Sequence, residues 1–320
     1  MVILTILVTG AAGFIGSHLT EALLKRGDKV IALDNFNDYY SPTRKRANAA
    51  PFLNHPNCTL LEADIRDAVA IENIFEQYRP QKVAHLGAMG SVRYSVKNPH
   101  IYIETNITGT HNLLNVAQRH GVVNFVFAST SSVYGQTNKT PFEETDSTDH
   151  PLAVYPASKK ACEVLGHAYH NMHGLNFTAL RFFNVYGPKG RPDMMPYIVT
   201  ERIYHEQEIT LFDNGQMHRD WTYIEDIIFG VLAALDKSMG YEVINLGRGQ
   251  PILMSDFIEI AEEIVGKKAI IKAVPAPASE PKVTYANVDK ARRLLGYNPQ
   301  TSVVDGLNNF WNWYRQEMME

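Results

Sequence analysis

The sequence predicts an α/β fold, a doubly wound parallel sheet followed by a smaller mixed α/β lobe. Short runs rich in β-branched residues alternate with helical patterns as far as residue 183, and a glycine-rich turn joins the first run to the first helix. The alternation becomes irregular after Asn184. We therefore predict one domain over residues 1–186 and a second lobe mainly from residues 187–320, with some segments returning to the sheet.

Composition narrows the function classes. Hydrophobic residues make up 45% of the 320 residues and charged residues 20%, as expected for a globular protein with a full core. The net charge of -4 predicts no nucleic-acid partner and no anionic membrane surface, and no apolar run reaches the ~18 residues of a membrane span. Two cysteines are too few for a disulfide framework, which favours a cytoplasmic location. No metal-ligand pattern is recognisable, so we predict no metal site.

The first predicted unit is a strand, a glycine turn, a helix and a second strand. Residues 2–9 form the first run, apolar residues then recur at helical spacing up to Gly27, and the second run, residues 30–33, ends at Asp34. This order is typical of a dinucleotide-binding unit, in which a pyrophosphate lies against the helix N-terminus. The turn reads Gly10-Ala11-Ala12-Gly13-Phe14-Ile15-Gly16.

Asp34 indicates which dinucleotide is bound. A carboxylate at the end of the second strand binds the hydroxyls of the adenosine ribose and repels a 2′-phosphate. The sequence therefore predicts NAD rather than NADP. An exposed aspartate without a ligand is the alternative interpretation of this position.

Later runs also end in polar or small residues. Because parallel strands end at one edge of a sheet, the residues that follow them are expected to line a ligand site. Helices are predicted between the runs, over residues 68–78, 102–120 and 155–173. The runs are residues 59–63, 82–86, 123–129 and 177–183, and the third leads into the hydroxyl cluster Ser129-Thr130-Ser131-Ser132.

Tyr155 and Lys159 lie four residues apart in the last of these helices, so their side chains share one face. A nearby ammonium favours the phenolate and lowers the pKa of the phenol from about 10 towards neutrality. A phenolate near neutral pH is a general base. Alone, the pair is better explained as two ordinary helix residues; the glycine turn and the hydroxyl cluster favour a catalytic role.

These motifs resemble the extended short-chain dehydrogenase/reductase family, whose coenzyme domain has the Rossmann fold. Within that family the whole chain is similar to NAD-dependent nucleotide-sugar 4-epimerases, and most similar to UDP-glucuronate 4-epimerases. The stretches that carry the closer resemblance are Val92-Arg93-Tyr94-Ser95, Lys159-Lys160-Ala161-Cys162-Glu163, Gly190-Arg191-Pro192-Asp193-Met194 and Arg219-Asp220-Trp221-Thr222-Tyr223-Ile224.

The resemblance implies a reaction and assigns roles. Tyr155 would take the proton of the sugar 4-hydroxyl while C4 gives a hydride to NAD, Lys159 would tune Tyr155 and bind the nicotinamide ribose, and Thr130 would hydrogen-bond the 4-oxygen. The implied coenzyme contacts are Gly10, Gly13, Phe14, Ile15, Gly16, Asp34, Asn35, Asp64, Ile65, Leu86, Gly87, Ala88, Tyr155 and Lys159.

The resemblance also implies how a UDP-sugar is held. Arg219 would bind the diphosphate, a role that suits its planar fork, and Glu280 would bind the uridine ribose. Arg93 falls in a matching stretch and is assigned to the substrate. For the sugar carboxylate the candidates are Ser131, Ser132, Asn184 and Arg191.

The hydroxyl cluster separates related reactions. Nucleotide-sugar dehydratases have Thr-Asp-Glu where this chain has Thr130-Ser131-Ser132, and UDP-glucuronate decarboxylases have a glutamate at Ser132. Both carboxylates are missing, so epimerisation is favoured over dehydration or decarboxylation. A non-catalytic NAD-binding regulator is a further alternative, against which the intact Tyr155 and Lys159 argue.

Two departures from the uronate epimerases stand out, the first bearing on the substrate and the second lying next to the coenzyme. Asn184 stands where they usually have threonine, and asparagine there is typical of epimerases that act on UDP-glucose, UDP-N-acetylglucosamine or their uronates. Gly87 stands where alanine is usual. The resemblance further implies a homodimer through a four-helix bundle built from the helices at residues 102–120 and 155–173.

Overall fold

The computed structural model describes residues 4–137, 139–276 and 281–318. The chain forms two compact units. The first consists of Met1–Gly135, Ser147–Arg181 and Ile228–Ile244. The second consists of Gln136–Asp146, Phe182–Ile227 and Asn245–Glu320.

The first unit is built on a seven-stranded sheet with the order β11-β6-β5-β4-β1-β2-β3, so each run predicted before residue 184 is a strand. The neighbours from β3 to β5 pair in parallel register. The strands of this sheet are β1 (Thr5–Thr9), β2 (Lys29–Asp34), β3 (Cys58–Glu62), β4 (Lys82–His85), β5 (Asn124–Thr130), β6 (Phe177–Phe182) and β11 (Tyr241–Leu246).

The sheet is covered on both faces, which explains why its central strands read as continuous apolar runs rather than alternating ones. All seven residues of β5 are buried. Leu7, Val83, Phe125 and Phe127 are 0% exposed and belong to one core cluster. Such burial stabilises the fold by roughly 1.5–3 kcal/mol for each large apolar side chain. The well-packed sheet in turn holds in place the strand ends that carry polar residues.

Helices connect the strands and end at residues that sequence rules identify. The first helix stops at Gly27 in a left-handed conformation, and Asp67 caps the third by accepting hydrogen bonds from the amides of Val69 and Ala70. The helices of this unit are α1 (Phe14–Arg26), α2 (Pro42–Ala49), α3 (Ala68–Tyr78), α4 (Val92–Lys97), α5 (Pro99–Tyr102), α6 (Gly109–Arg119) and α7 (Val154–His173), and α9 (Ile224–Leu235) lies mostly within it.

One predicted helix differs from its expected form. The continuous helix over residues 102–120 is interrupted by a π-helical segment, Ile103–Thr108, between α5 and α6. The physical reason is Asn106, whose side chain exchanges hydrogen bonds with the backbone of Met89 and donates to Ser158 Oγ at 2.9 Å. A wide helical turn of this kind commonly marks a functional segment.

The second unit contains short strands and helices around an aromatic core. Tyr197, Phe310, Trp311 and Tyr314 form one buried cluster. Its strands are β7 (Val185–Tyr186), β8 (Glu208–Phe212), β9 (His218–Arg219), β10 (Thr222–Tyr223), β12 (Ile252–Leu253), β13 (Ile270–Val274) and β14 (Val283–Thr284). Its helices are α8 (Met195–Tyr204), α10 (Met254–Val265), α11 (Asp289–Leu295) and α12 (Val303–Met318).

Across the described part of the chain, no helix combines the length and the apolar character that crossing a bilayer requires.

Candidate active site

The glycine turn between β1 and α1 is shaped by close backbone approach. Gly10 adopts φ +69°, and a Cβ there would lie 2.8 Å from the backbone of Gly87 at the end of β4. A Cβ on Gly16 would lie 1.9 Å from the Gly10 carbonyl oxygen. Only glycine fits these two positions, and the absence of side chains leaves the start of α1 open to a ligand.

The N-terminus of α1 has the features of an anion site. Gly13 is its N-cap and has no side chain to bond the amides of the first turn, which include those of Phe14 and Ile15. The amides and the helix dipole therefore favour a bound phosphate.

Asp34 lies at the end of β2 and is 7% exposed. Its Oδ2 accepts from the amide of Ala12 at 3.0 Å and its Oδ1 from the amide of Phe36 at 2.9 Å. Burial raises the pKa of this carboxyl, while the amides and the Lys45 ammonium oppose the increase. The carboxylate oxygens retain lone pairs that can accept from ribose hydroxyls.

The end of β3 carries the predicted adenine-side residues. Asn35 Nδ2 donates to Asp64 Oδ2 at 2.9 Å, and Arg66 donates to both Asp64 oxygens, at 3.0 Å and 2.8 Å. Burial acts to raise the pKa of Asp64, but the Arg66 hydrogen bonds outweigh it and lower that pKa to about 2. Ile65 is buried beside Gly109, where a Cβ would lie 2.6 Å from it.

Leu86, Gly87 and Ala88 follow β4 and are half-buried. The Gly87 amide donates to Thr9 Oγ1 at 3.0 Å, and that oxygen lies 2.7 Å from His85 Nδ1. Burial, with the nearby Lys159 ammonium, lowers the pKa of His85, so the imidazole is neutral. A Cβ on Gly87 would lie 3.0 Å from Thr9 Oγ1, so glycine at this position relieves a tight contact.

The end of β5 brings the hydroxyl cluster to α7. Lys159 Nζ donates to the Ala128 carbonyl oxygen at 2.8 Å, two residues before Thr130. Thr130 Oγ1 donates to Ser132 Oγ at 3.2 Å, and Ser131 and Ser132 begin a short helical turn. One edge of the sheet thus carries Lys159, Thr130, Ser131 and Ser132.

Lys159 is 4% exposed, and burial lowers its pKa to about 8, an effect that the nearby Cys162 and Glu163 oppose. The side chain is therefore mainly an ammonium at neutral pH. Tyr155 lies one turn earlier on α7, half-buried, with its ring 6.0 Å from that of Tyr102 in an edge-to-face arrangement.

A buried ion pair beside this cluster was not predicted. Glu163 is 0% exposed, and both its oxygens accept from Arg181, at 2.9 Å and 2.8 Å. Ser129 Oγ donates to Glu163 Oε1 at 2.6 Å, which ties the end of β5 to α7. The signal in the sequence was the position of Glu163 one turn after Lys159, on the same helix face.

Other predicted substrate residues lie in the second unit. Asn184 adopts φ +20° and its carbonyl oxygen accepts from the amide of Thr222 at 3.3 Å. Arg191 donates to both oxygens of Asp193, at 2.9 Å and 2.6 Å. Arg219 donates to the carbonyl oxygen of His218 at 2.8 Å and lies on β9.

Asp220, next to Arg219, organises the second unit. From the sequence it was named only as part of a motif. It is 0% exposed, and its carboxylate accepts from the amides of Arg248, Gly249 and Ala286 at 2.8–3.0 Å and from the Thr222 hydroxyl at 3.3 Å. Burial raises the pKa of Asp220, and the four donors oppose the increase.

The remaining substrate candidates are Arg93 and Glu280. Arg93 lies exposed on α4, in the first unit. Glu280 lies outside the described residues. Within those residues, no group of three or more histidine, cysteine, aspartate or glutamate side chains is arranged to hold a metal ion.

The first unit fits a dinucleotide. The glycine turn is a cradle that a Cβ at Gly10 or Gly16 would fill, the first turn of α1 has no side-chain cap, and Asp34 supplies a carboxylate at the neighbouring strand end. These residues would hold the pyrophosphate and the adenosine ribose of NAD. Lys159 and Tyr155 lie on the helix that follows the end of β5.

Comparison with known proteins agrees with this fold and with a dinucleotide coenzyme. The model of the NAD dependent epimerase/dehydratase family matches residues 6–247. The chain is 43% identical to UDP-glucuronate 4-epimerase of Thermodesulfobacterium geofontis, covering 98% of this chain and 96% of that protein. It is 44% identical to UDP-glucuronate 4-epimerase 4 of Arabidopsis thaliana, covering 97% of this chain and 75% of that protein.

A solved structure is similar over its whole length. The UDP-glucuronic acid 4-epimerase of Bacillus cereus, in complex with UDP-glucuronic acid and NAD, superposes with a TM-score of 0.92 at 35% identity, covering 98% of this chain and 99% of that chain. The chain therefore belongs to the NAD dependent epimerase/dehydratase family, with a Rossmann-type fold and NAD as its coenzyme.

Proposed function

We propose that this protein is an NAD-dependent UDP-sugar 4-epimerase that interconverts UDP-glucuronate and UDP-galacturonate. The observation that carries the proposal is the identity of 43% over 98% of the chain with a UDP-glucuronate 4-epimerase. The site supports it, because the lysine of the Tyr-Lys pair binds the strand that leads to Thr130, and the following residues are hydroxyls without a carboxylate.

In the proposed mechanism the chain's own side chains move one proton. The Tyr155 phenolate accepts the proton of the sugar 4-hydroxyl, and the Lys159 ammonium stabilises that phenolate. Thr130 Oγ1 donates a hydrogen bond to the 4-oxygen, exchanging the bond that it makes with Ser132. Bound NAD would supply the acceptor for the C4 hydride and, once reduced, the donor that gives it back to the opposite face of the 4-keto sugar. Tyr155 then returns its proton to the same oxygen, so no net oxidation occurs.

We propose that hydroxyl and amide donors hold the sugar carboxylate. A 4-keto glucuronate is a β-keto acid that loses CO2 readily, so its carboxylate must be kept out of alignment with the keto group. Ser131, Ser132 and Asn184 are the proposed donors. Arg191 makes a bidentate pair with Asp193, which offsets its charge and makes it a weaker candidate than the sequence suggested.

The UDP group needs cationic and polar partners. We propose Arg219 for the diphosphate, with Arg93 and Glu280 as further substrate contacts carried over from the resemblance. The buried Asp220 supports Arg219, because it follows Arg219 directly and is tied by hydrogen bonds to the amides of Arg248 and Ala286.

A second substrate assignment follows from Asn184. This residue is typical of epimerases that act on UDP-glucose or UDP-N-acetylglucosamine, and a UDP-glucose 4-epimerase of Thermotoga maritima shares 33% identity with this chain at a TM-score of 0.90. The mechanism at C4 would be unchanged, since these sugars differ from glucuronate at C6, and N-acetylglucosamine also at C2, but not at C4.

We also propose that the protein acts as a cytoplasmic homodimer. The apolar side chains of Ile103, Val164 and Met172 are 45%, 56% and 60% exposed on the π segment and on α7. These helices are the ones that the resemblance assigns to a four-helix bundle, and pairing them with a second copy would cover this surface.

The test is to incubate the purified protein with UDP-glucuronate and follow UDP-galacturonate by NMR. We expect a mixture of the two epimers, and we expect that no NAD is consumed as they form. Turnover of UDP-glucose or UDP-N-acetylglucosamine alone would select the second substrate assignment. Release of CO2 would indicate a decarboxylase, and a 4-keto-6-deoxy product would indicate a dehydratase. NAD binding without turnover of any of these sugars would indicate a regulator.

A further inference from the structure

Lys45 is a buried cation that has no role in the proposed epimerase mechanism. It lies on α2 and is 5% exposed, although lysine is rarely buried unless paired. Its Nζ donates to the carbonyl oxygen and to the side-chain Oδ1 of Asn37, both at 2.7 Å, and lies 4.8 Å from the centre of the Tyr40 ring. A side chain placed in this way holds the loop that follows β2.

That loop is a chain of hydrogen bonds. Both the backbone and side-chain nitrogens of Asn37 donate to Asn35 Oδ1 at 3.1 Å, and Asn35 Nδ2 donates to Asp64 Oδ2 at 2.9 Å. Lys45 therefore anchors one end of a chain whose other end is the terminus of β3.

The loop holds a backbone conformation that needs support. Phe36 adopts φ +48°, which is strained for a residue with a side chain. In this conformation its amide donates to Asp34 Oδ1. Lys45 on Asn37 and the Arg46 guanidinium, 4.3 Å from the centre of the Phe36 ring, contact the loop from α2. The strain is thus retained where it orients the Asp34 carboxylate.

Lys45 also acts on Asp34 through its charge. Burial raises the pKa of Asp34, the Lys45 ammonium opposes that increase, and Glu62 on β3 adds to it. Arg46 offsets Glu62 by an ion pair of 3.0 Å. The amide of Phe36, the ammonium of Lys45 on α2 and the amide of Ala12 thus favour the ionised Asp34 carboxylate, and Lys45 is the cation among these three groups.

We propose that Lys45 is a positioning residue for the coenzyme: it holds the loop after β2 so that Asp34 meets the adenosine ribose in a fixed orientation and as a carboxylate. The proposal depends on NAD being the coenzyme and not on which sugar is bound.

The test measures the dissociation constant of NAD by calorimetry on the full chain without sugar, from about pH 5 to about pH 8. NAD affinity is expected to fall as Asp34 becomes protonated. Lys45→Met should weaken NAD by at least about tenfold at neutral pH and shift this acidic loss to higher pH, because the Asp34 pKa rises further. Lys45→Arg should keep the acidic loss near its original pH.

Two further variants complete the design. Lys25→Met removes the same charge from an exposed site on α1 and should leave the NAD affinity unchanged. Asn37→Ala removes the Oδ1 acceptor but keeps the ammonium, so it should weaken NAD without moving the acidic loss.

Equal NAD affinity in wild type, Lys45→Met and Asn37→Ala would overturn the proposal, as would a Lys45→Met defect of the same size at every pH. If circular dichroism shows that Lys45→Met does not fold, Asn37→Ala decides, because unchanged NAD binding in that variant contradicts a positioning role. A protein that follows the expected pattern but epimerises no UDP-sugar would refute only the proposed function.

Discussion

At the scale of the residue, the proposed chemistry depends on the phenol of Tyr155 and the ammonium of Lys159, which lie one helical turn apart. Lys159 is fixed by the Ala128 carbonyl oxygen, which places the ammonium at the end of β5, beside the hydroxyl cluster. Burial brings the pKa of this lysine to about 8. The charge that we propose as support for the general base is therefore itself close to titration in the neutral range.

Tyr155→Phe removes the proposed general base and leaves the ring in place. We expect kcat for epimerisation to fall by roughly 10²–10⁴-fold, because no other group described at the site can take the proton. NAD content, measured by absorbance of the denatured extract, should be unchanged. Activity close to wild type would contradict the assignment of Tyr155.

Lys159 gives the activity an alkaline limit. Above about pH 8 the buried side chain loses its proton, so kcat should decline as pH rises through that value. Lys159→Met should show a low kcat without this limb. A pH profile of kcat for both proteins tests the expectation, which fails if the wild-type rate stays level through about pH 10.

The lowered pKa of Lys159 also makes the stability of the protein depend on pH. The folded pKa of about 8 is below the ordinary lysine value of 10.5, so the unfolded chain binds more protons between these values. Lys159 therefore makes the protein more stable as pH rises from about 8 towards 10.5. In denaturant titrations, the difference in unfolding free energy between wild type and Lys159→Met should change over this pH range. A constant difference would show that burial does not perturb the pKa of the lysine.

At the scale of the element, the turn between β1 and α1 brings two strand ends into backbone contact. Gly10, Gly16 and Gly87 meet there without side chains, and Thr9 bonds the amide of Gly87 across the gap. The proposed coenzyme cradle is thus built from two neighbouring strand ends together rather than from one motif.

Gly16→Ala tests this cradle. The added methyl would need the Gly10 carbonyl oxygen to move from 1.9 Å, so we expect a loss of about 1–3 kcal/mol in unfolding free energy and a lower NAD content. Gly174→Ala, at the end of α7, meets nothing within 4 Å and should cost only the left-handed strain of about 1 kcal/mol while NAD is retained. Equal NAD content in the two variants would contradict a role of Gly16 in the cradle.

The strand ends after β1, β2, β4 and β5 were predictable, because buried parallel strands read as apolar runs and turns contain glycine or hydroxyl residues. The π segment was not predictable, since it depends on Asn106 bonding Met89 and Ser158, which are distant in sequence. The same holds for the Glu163 and Arg181 pair, where each residue alone resembles an ordinary surface charge.

At the scale of the whole molecule, the exposed apolar residues of the π segment and α7 predict association. Val164→Glu places a charge where a second copy would pack, and we expect the protein to shift from dimer to monomer in analytical ultracentrifugation. Val69→Glu, on α3 and 71% exposed, is a matched control that should stay dimeric. A dimer that tolerates Val164→Glu would place the interface elsewhere.

The buried carboxylate of Asp220 has a consequence for how the chain is made. It binds amides at Arg248 and Gly249 and, at a separation of 66 residues, the amide of Ala286. A nascent chain therefore has to emerge from the ribosome beyond Ala286 before this carboxylate has all of its donors. Translation that stops earlier leaves a desolvated negative charge short of partners, and such a fragment should be degraded by proteases instead of accumulating as a folded half.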